Sequence, residues 1–413
     1  MIGSGVSGLT AAYLLRRRYD VTLFEADARL GGHAHTHAVA TPDGRELAVD
    51  SGFIVHNERT YPTLLRLFAE LGVSTQDTEM SMSVRCRGCG LEYAGAKRLG
   101  GVFAKRGNVL RPDYLRMLAE VRRFHRHARR MLDHLDAGDA TLGAFLAIGG
   151  YSRYFVDHFL IPLVSCVWSA GGRVSKRYPA RYLFTFLDNH GMLSVGGSPT
   201  WRTVPGGSKS YVDRLVKNLA VVREGTSVRA LRRVGDGVEI RDDSDTVHRF
   251  ARAVVATHAD QALSLLADAT PDERAVLGAF RYSRNETLLH TDTTTLPRTR
   301  GARASWNYLK PSCATEDRPV LVTYDMNRLM GLDEPLRYLV SLNSDQHVAE
   351  GQVLARMVYE HPVYTPESLA AQRRLPDLNG PRVAFAGAYH GWGFHEDGCA
   401  SGVRAAESFG VRW

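Results

Sequence analysis

The chain opens MIGSGVSGLTAAYLLRRRYDVTLFEA, and the glycines of its first eight residues restrict the fold more than any other feature. Gly3, Gly5 and Gly8 form a G-x-G-x-x-G pattern, with the apolar helix-like run Leu9–Leu15 behind it. Val21–Phe24 reads as the next strand, and Glu25 stands at its end. The glycines allow a tight turn, close approach of backbone to a pyrophosphate, and close helix–strand packing. The helix amino terminus turns free N–H groups and a positive dipole end toward phosphate, so Val6 and Ser7 join the expected contacts. A carboxylate at Glu25, followed by Ala26, suits ribose hydroxyls. The pattern predicts an α/β chain with a Rossmann-like dinucleotide-binding domain. Only Met1 and Ile2 precede Gly3, so the first strand is either very short or begins upstream.

Size and composition allow two or three domains with a substantial core, since 413 residues are 44% hydrophobic and 23% charged. No run of about 18 apolar residues suggests a membrane span. Five scattered cysteines argue against a disulfide framework and point to a reducing cytoplasm. The net charge of +8 is concentrated partly in Arg116–Arg130, RMLAEVRRFHRHARR. There Met117, Val121, Phe124 and Ala128 make an apolar stripe at helical spacing. Such a helix is either an ordinary solvated element or a peripheral contact with anionic lipid at the inner face of the membrane. No nucleic-acid-binding fold accompanies the charge.

Further motifs resemble flavin enzymes of the amine oxidase superfamily. Arg29-Leu30-Gly31-Gly32, followed by Thr36, resembles their second fingerprint, with His33 where an arginine is usual. Asp50, Ser51, Gly52, Phe53 and Ile54 match the stretch that runs beside the isoalloxazine in those enzymes. TVPGGSK resembles their proline-glycine-glycine turn, and Val228 the residue whose backbone meets adenine. Near the end, AGAYHGWGFHEDG places Gly387 and Ala388 at the ribityl, and Gly393, Phe394, His395 and Glu396 where a helix start faces the flavin pyrimidine. Tyr389, His390 and Trp392 fall where amine oxidases build one wall of an aromatic cage. The resemblance implies FAD. His33, His35 and His37 alternate as in a strand, which shares a face without converging on a metal ion. The superfamily's lysine at flavin N5 has no counterpart in THADQALSLL, where His258 is the notable polar residue. It is either a general acid/base or part of a local turn.

The middle of the chain reads as a substrate domain, residues 81–195 and 266–371. It interrupts an FAD-binding domain of residues 1–80, 196–265 and 372–413. SMSVRCRGCGLEYAG reads as strand, turn and strand, with a C-x-x-C (Cys86, Cys89) at the turn. Structural zinc needs four ligands and no second pair has suitable spacing, so these read as incidental thiols, with no metal site expected. Residues 109–165 read as largely helical, and 280–370 as strand-rich. Trp168, Phe184, Trp201 and Trp306 join Tyr389 and Trp392 as the expected apolar pocket. No second G-x-G-x-x-G follows a strand, so a separate NAD(P)H domain is not expected; VGGSPT has the wrong spacing.

DSGFIVHNERTYP, RPDYLRMLAEVRRF, VWS, SWNYL and GAYHGWGFHEDG together resemble a narrower group. It comprises bacterial predicted NAD/FAD-binding oxidoreductases and the amino-terminal oxidase-like domain of plant cyclopropane-fatty-acid synthases. The resemblance implies FAD-dependent oxidation or desaturation of unsaturated, methylated or cyclopropanated acyl chains, with His258, Tyr389 and His390 as the expected catalytic groups. A redox-neutral double-bond isomerase stands as one alternative. A flavin-loaded accessory subunit of a separate methyltransferase is another, and an amine oxidase or carotenoid-type desaturase lies further out.

Overall fold

The computed structural model describes every residue except 96–97, 135–139, 195–197 and 315–318. The expected boundary at residues 195–196 and the glycines of VGGSPT lie outside the described residues.

The amino-terminal motif sits in a parallel sheet assembled from distant segments. Val221–Arg223 pairs with Thr22–Phe24, and Ala253–Val255 pairs with Val383–Phe385. Met1 and Ile2 fill the gap between these pairs: Ile2 donates to the Val254 carbonyl, and Gly3 to that of Phe24. Ile2 stands where the first strand is expected, as isolated parallel bridges to Phe24 and Val255. Helix Val6–Leu15 follows and is buried along its whole length. The last helix, His395–Ser408, lies against it. A Cβ at Gly402 would come within 2.4 Å of the Ser7 carbonyl oxygen, and one at Gly398 within 2.7 Å of Val6. These two glycines set the helix separation.

The second large element is a seven-stranded sheet. Its order is Val353–Val363, Arg281–His290, Leu339–Leu342, Val322–Asp325, Trp306–Lys310, Met82–Cys86 and Glu92–Gly95. A helical layer covers part of it, running from Pro112–Asp133 through Ile161–Trp168 to Ala180–Asn189, further than the 109–165 read from sequence. In helix Pro112–Asp133 the stripe Met117, Phe124 and Ala128 is fully buried. Phe124 meets Phe145, Phe155 and Phe184 edge-on or tilted at centroid distances of 5.5–6.1 Å. Met117, Phe124 and Ala128 thus form protein core, while Val121, the fourth of the stripe, is half-buried. Among the described residues, no helix is long and apolar enough to cross a membrane.

The fold also carries Cys313 and His158 to the C-x-x-C turn of Cys86 and Cys89.

One buried carboxylate joins the segments of the flavin motif. Asp50 accepts hydrogen bonds from the Thr36 hydroxyl (2.5 Å), the Ser208 hydroxyl (2.8 Å) and the Ser208 amide (3.0 Å). Burial raises its pKa to about 6, against the lowering effect of Thr36 and Ser208. Gly207, at φ +86°, lies so close that a Cβ would sit 2.5 Å from Thr36 and 3.0 Å from Asp50. Asp50→Ala strands these buried donors and should cost about 2–4 kcal/mol in urea unfolding, whereas a surface change such as Asp213→Ala should fall within about 0.5 kcal/mol of wild type.

Candidate flavin and substrate site

A cavity of about 750 Å³ runs between the parallel sheet, the seven-stranded sheet and the helical layer. Its first end is built from the amino-terminal motif. Ile2 to Ser7, Glu25, Ala26 and Val228 line it. Glu25 uses one oxygen to accept from the Ser4 amide (2.8 Å) and hydroxyl (2.5 Å), and the other to accept from the Asp27 amide. The carboxylate is thereby fixed at the end of its strand. Helix Val6–Leu15 begins at Gly5 without a side-chain cap, so its first N–H groups face the cavity as an anion site. Arg29 is the only Lys or Arg side chain among the described lining residues, and it is braced by donating to the Gly32 carbonyl (2.8 Å). A Cβ at Gly5 would meet no atom within 4 Å. Open space, an uncapped helix start, one cation and a terminal carboxylate fit the pyrophosphate and ribose of a dinucleotide.

Gly8 and Gly31 do not line the cavity. A Cβ on Gly8 would strike the Gly3 carbonyl oxygen at 2.0 Å, which is its role in helix–strand packing. Gly31 packs against Ala34 and Val212 at φ +109°. Gly32, His33, Gly52, Phe53, Ile54, Gly387, Ala388, Gly393, Phe394 and His395 all reach the cavity. Gly52 passes His33 so closely that a Cβ would lie 2.1 Å from its carbonyl oxygen. His395 stacks on Phe53 at 3.7 Å and bonds Tyr211 through Nε2 (2.9 Å). Glu396 points elsewhere: its two oxygens accept from the Thr63 and Leu64 amides at 3.0 and 2.9 Å, capping helix Pro62–Leu71. Asp397 accepts from the Phe394 amide and caps its own helix.

Beyond His33 the cavity carries a group of imidazoles. His33 lies 5.6 Å from His361 and 6.3 Å from His258, between ring centroids. Burial holds all three below the ordinary histidine pKa, His361 at about 4. His258 is the N-cap of helix Ala259–Leu265, where its amide donates to Gln261 Oε1 (3.2 Å). It stacks on Tyr282 at 4.3 Å, and its Nδ1 lies 3.3 Å from a Glu360 carboxylate oxygen. Burial lowers its pKa, while Glu360 acts in the opposite direction. His361 Nδ1 receives a hydrogen bond from the Asn285 side-chain amide (3.1 Å), and Asn285 in turn accepts from Asn343 (2.9 Å). In that arrangement the His361 proton is on Nε2.

The far end is mainly apolar, with Ser169 and His190 as polar groups in its wall. Cys166, Val167, Trp168, Phe186, Met192, Trp201, Trp306, Tyr324 and Leu342 line it, with no acidic side chain among them. Trp168, Trp201 and Trp306 are where the sequence places them. Phe184 is not: it is fully buried in the helical core, and Phe186 takes its place. Residues two apart on a helix face nearly opposite ways, so only one of the pair can reach the cavity. Trp392 and His390 also lie outside the cavity lining. Tyr389 lines the cavity, but its ring packs on Phe280 in the core. His361, Asn285, Tyr282 and Glu360 carried no sequence signal, because strands of the other sheet deliver them.

The model of the flavin containing amine oxidoreductase family matches residues 6–408. The chain belongs to that family. It is an FAD-dependent oxidoreductase. Similar solved structures include a CLA-producing fatty acid isomerase from P. acnes, 15% identical with a TM-score of 0.68, covering 97% of this chain and 96% of that one. Cyclohexylamine oxidase from Brevibacterium oxydans IH-35A is 16% identical with a TM-score of 0.67, covering 99% and 97%. Coproporphyrinogen III oxidase from Mycobacterium leprae (strain TN) is 25% identical over 303 residues, 68% of this chain and 63% of that protein.

Gly5 has φ −61° and ψ 173°, which any residue adopts, so a side chain there meets the cofactor rather than the protein. Gly5→Val should therefore fold with an unchanged circular dichroism spectrum yet be isolated with little bound flavin. A full flavin complement in that variant would contradict the placement.

Proposed function

We propose that this oxidoreductase acts on lipid acyl chains, removing hydrogen next to a double bond, methyl branch or cyclopropane ring. The observation that carries the reading is the far end of the cavity, walled by tryptophans, phenylalanine, tyrosine and aliphatic groups without a carboxylate. An ammonium substrate buried there would have no counter-charge, and a buried unpaired charge costs several kcal/mol or more. A polycarboxylate tetrapyrrole would find no arginine or lysine at that end. An uncharged acyl chain needs neither and gains about 0.8 kcal/mol per methylene removed from water. The fatty acid isomerase has the same fold, in keeping with acyl chemistry on this scaffold.

FAD, when bound, supplies the two-electron acceptor for a hydride leaving carbon. The protein residues handle binding and the proton. The tryptophan-lined end orients the chain and excludes water. The proton that departs with the hydride is taken by Nε2 of His258, since Nδ1 faces Glu360. A lowered pKa keeps this imidazole neutral and able to accept at pH 7, and Glu360 offsets the charge it gains. The Nε2–H of His361, held in that tautomer by Asn285, is a fixed donor beside it.

Phospholipids bearing unsaturated or methylated chains, incubated with holoenzyme under air, should yield dehydrogenated chains by mass spectrometry. His258→Gln should lower kcat by about 10²–10⁴-fold with bound flavin retained. The wild-type rate should fall only at pH below 6.5, where His258 takes up its proton, and the variant should lose that limb. Isomerised chains of unchanged mass, formed equally well without oxygen, would replace net oxidation with the redox-neutral reading. Unaltered lipid would refute acyl-chain chemistry.

A further inference from the structure

The cluster of Cys86, Cys89, Cys313 and His158 lies in the substrate domain, apart from the cavity lining. Its four ligand atoms all lie within 4.8 Å of one another. They come from three unrelated segments: the turn between strands Met82–Cys86 and Glu92–Gly95, the loop after strand Trp306–Lys310, and the π-helical stretch Val156–Leu160. We propose that these residues bind a structural zinc ion, as a Cys₃His site.

Two of the six ligand–ligand distances match a zinc tetrahedron, and all six lie within 4.8 Å. Zinc–sulfur bonds of about 2.3 Å and a zinc–nitrogen bond of about 2.0 Å at tetrahedral angles place sulfurs about 3.8 Å apart and sulfur about 3.5 Å from nitrogen. Cys86 Sγ and Cys313 Sγ are 3.8 Å apart, and Cys89 Sγ is 3.7 Å from His158 Nε2. The ligand set selects the metal: three thiolates and an imidazole suit zinc and disfavour magnesium or calcium, which take oxygen ligands.

The surroundings are arranged as a metal site requires. His158 Nδ1 is 3.2 Å from the Tyr154 carbonyl oxygen, an acceptor, so the proton resides on Nδ1 and Nε2 turns its lone pair to the cysteines. The ring is further fixed by stacking on Tyr154 at 4.0 Å, and the His158 carbonyl accepts from the Tyr93 hydroxyl. Gly88 lets the turn approach closely: a Cβ there would sit 2.8 Å from the Cys313 amide nitrogen and 3.1 Å from its sulfur. Three thiolates with Zn²⁺ leave one net negative charge. The buried ammonium of Lys310 lies within electrostatic reach of all three sulfurs and of the Asp157 carboxylate, and offsets part of it.

The site also has a structural consequence. The stretch carrying His158 continues directly into helix Ile161–Trp168, whose last residues wall the apolar end of the cavity. Zinc bound at the hairpin would hold that wall against the seven-stranded sheet. This inference does not depend on which substrate the cavity accepts.

Full-length holoenzyme, purified under reductant without chelators or a metal-binding tag, should contain about one zinc per chain by elemental analysis. Cys313→Ser lies at an exposed position and should keep its flavin absorbance while losing most of the metal. Cys399→Ser, outside the cluster and the cavity lining, should keep both. Cobalt exchanged into wild type should give tetrahedral cobalt–thiolate bands to the red of the flavin absorption, absent in Cys313→Ser. Fewer than about 0.1 zinc per chain, with the cluster thiols free and reduced, would overturn the proposal. So would zinc content unchanged in Cys313→Ser, or a Cys86–Cys313 disulfide in protein isolated under air.

Discussion

The buried carboxylate of Asp50 holds together the part of the molecule on which the cofactor end depends. Its oxygens gather Thr36, beyond the Arg29–Gly32 turn, and Ser208, at the start of the helix after the proline-glycine-glycine turn. Those segments are separated by 158 residues between Asp50 and Ser208, and nothing local in either would bring them together. With the node formed, Gly52 and Phe53 pass tightly along His33, and Phe53 becomes the platform for His395 at the start of the last helix. Removing the charge from water is costly, and satisfying it with several hydrogen bonds is what makes the arrangement tolerable. The aspartate that the sequence resemblance sets beside the flavin thus acts through the backbone it positions.

From that node the cavity divides by chemistry. At one end an uncapped helix start, Arg29 and Glu25 offer partial positive charge, a full cation and a carboxylate to a polyanion with hydroxyls. At the other, tryptophan, phenylalanine and aliphatic side chains offer mainly apolar surface, with Ser169, His190 and Tyr324 the polar groups among them. Between them His33, His258 and His361 are kept neutral by burial, so the reacting region holds titratable groups without holding net positive charge. Glu360 beside His258 provides for the moment when that ring gains a proton.

What was legible in the sequence follows the range of the interactions. The cofactor end is written in short motifs because turns, helix starts and close backbone passages are decided within a few residues, as at Gly3–Gly8 and His33. The substrate end is not. Phe184 and Phe186 look alike in sequence, and only packing of Phe184 on Phe124 and Phe145 shows which of them is core. His361 and Asn285 acquire meaning only when strands Arg281–His290 and Val353–Val363 pair. The thiols tell the same story: Cys86 and Cys89 are close in sequence, but Cys313 lies 227 residues from Cys86 and joins it through parallel pairing of strands Met82–Cys86 and Trp306–Lys310. Glu396 illustrates the converse, where a motif position was identified and its side chain turned out to cap a neighbouring helix.

On the proposed function, the cavity's mainly apolar end selects an uncharged acyl chain over an amine or a tetrapyrrole. The most direct measurement is anaerobic titration of the oxidised holoenzyme, following loss of flavin absorbance, with an unsaturated or methylated phospholipid, cyclohexylamine and coproporphyrinogen III in parallel. Rapid bleaching by the lipid alone is the predicted result. Bleaching by the amine or the porphyrinogen, with the lipid inert, would contradict it.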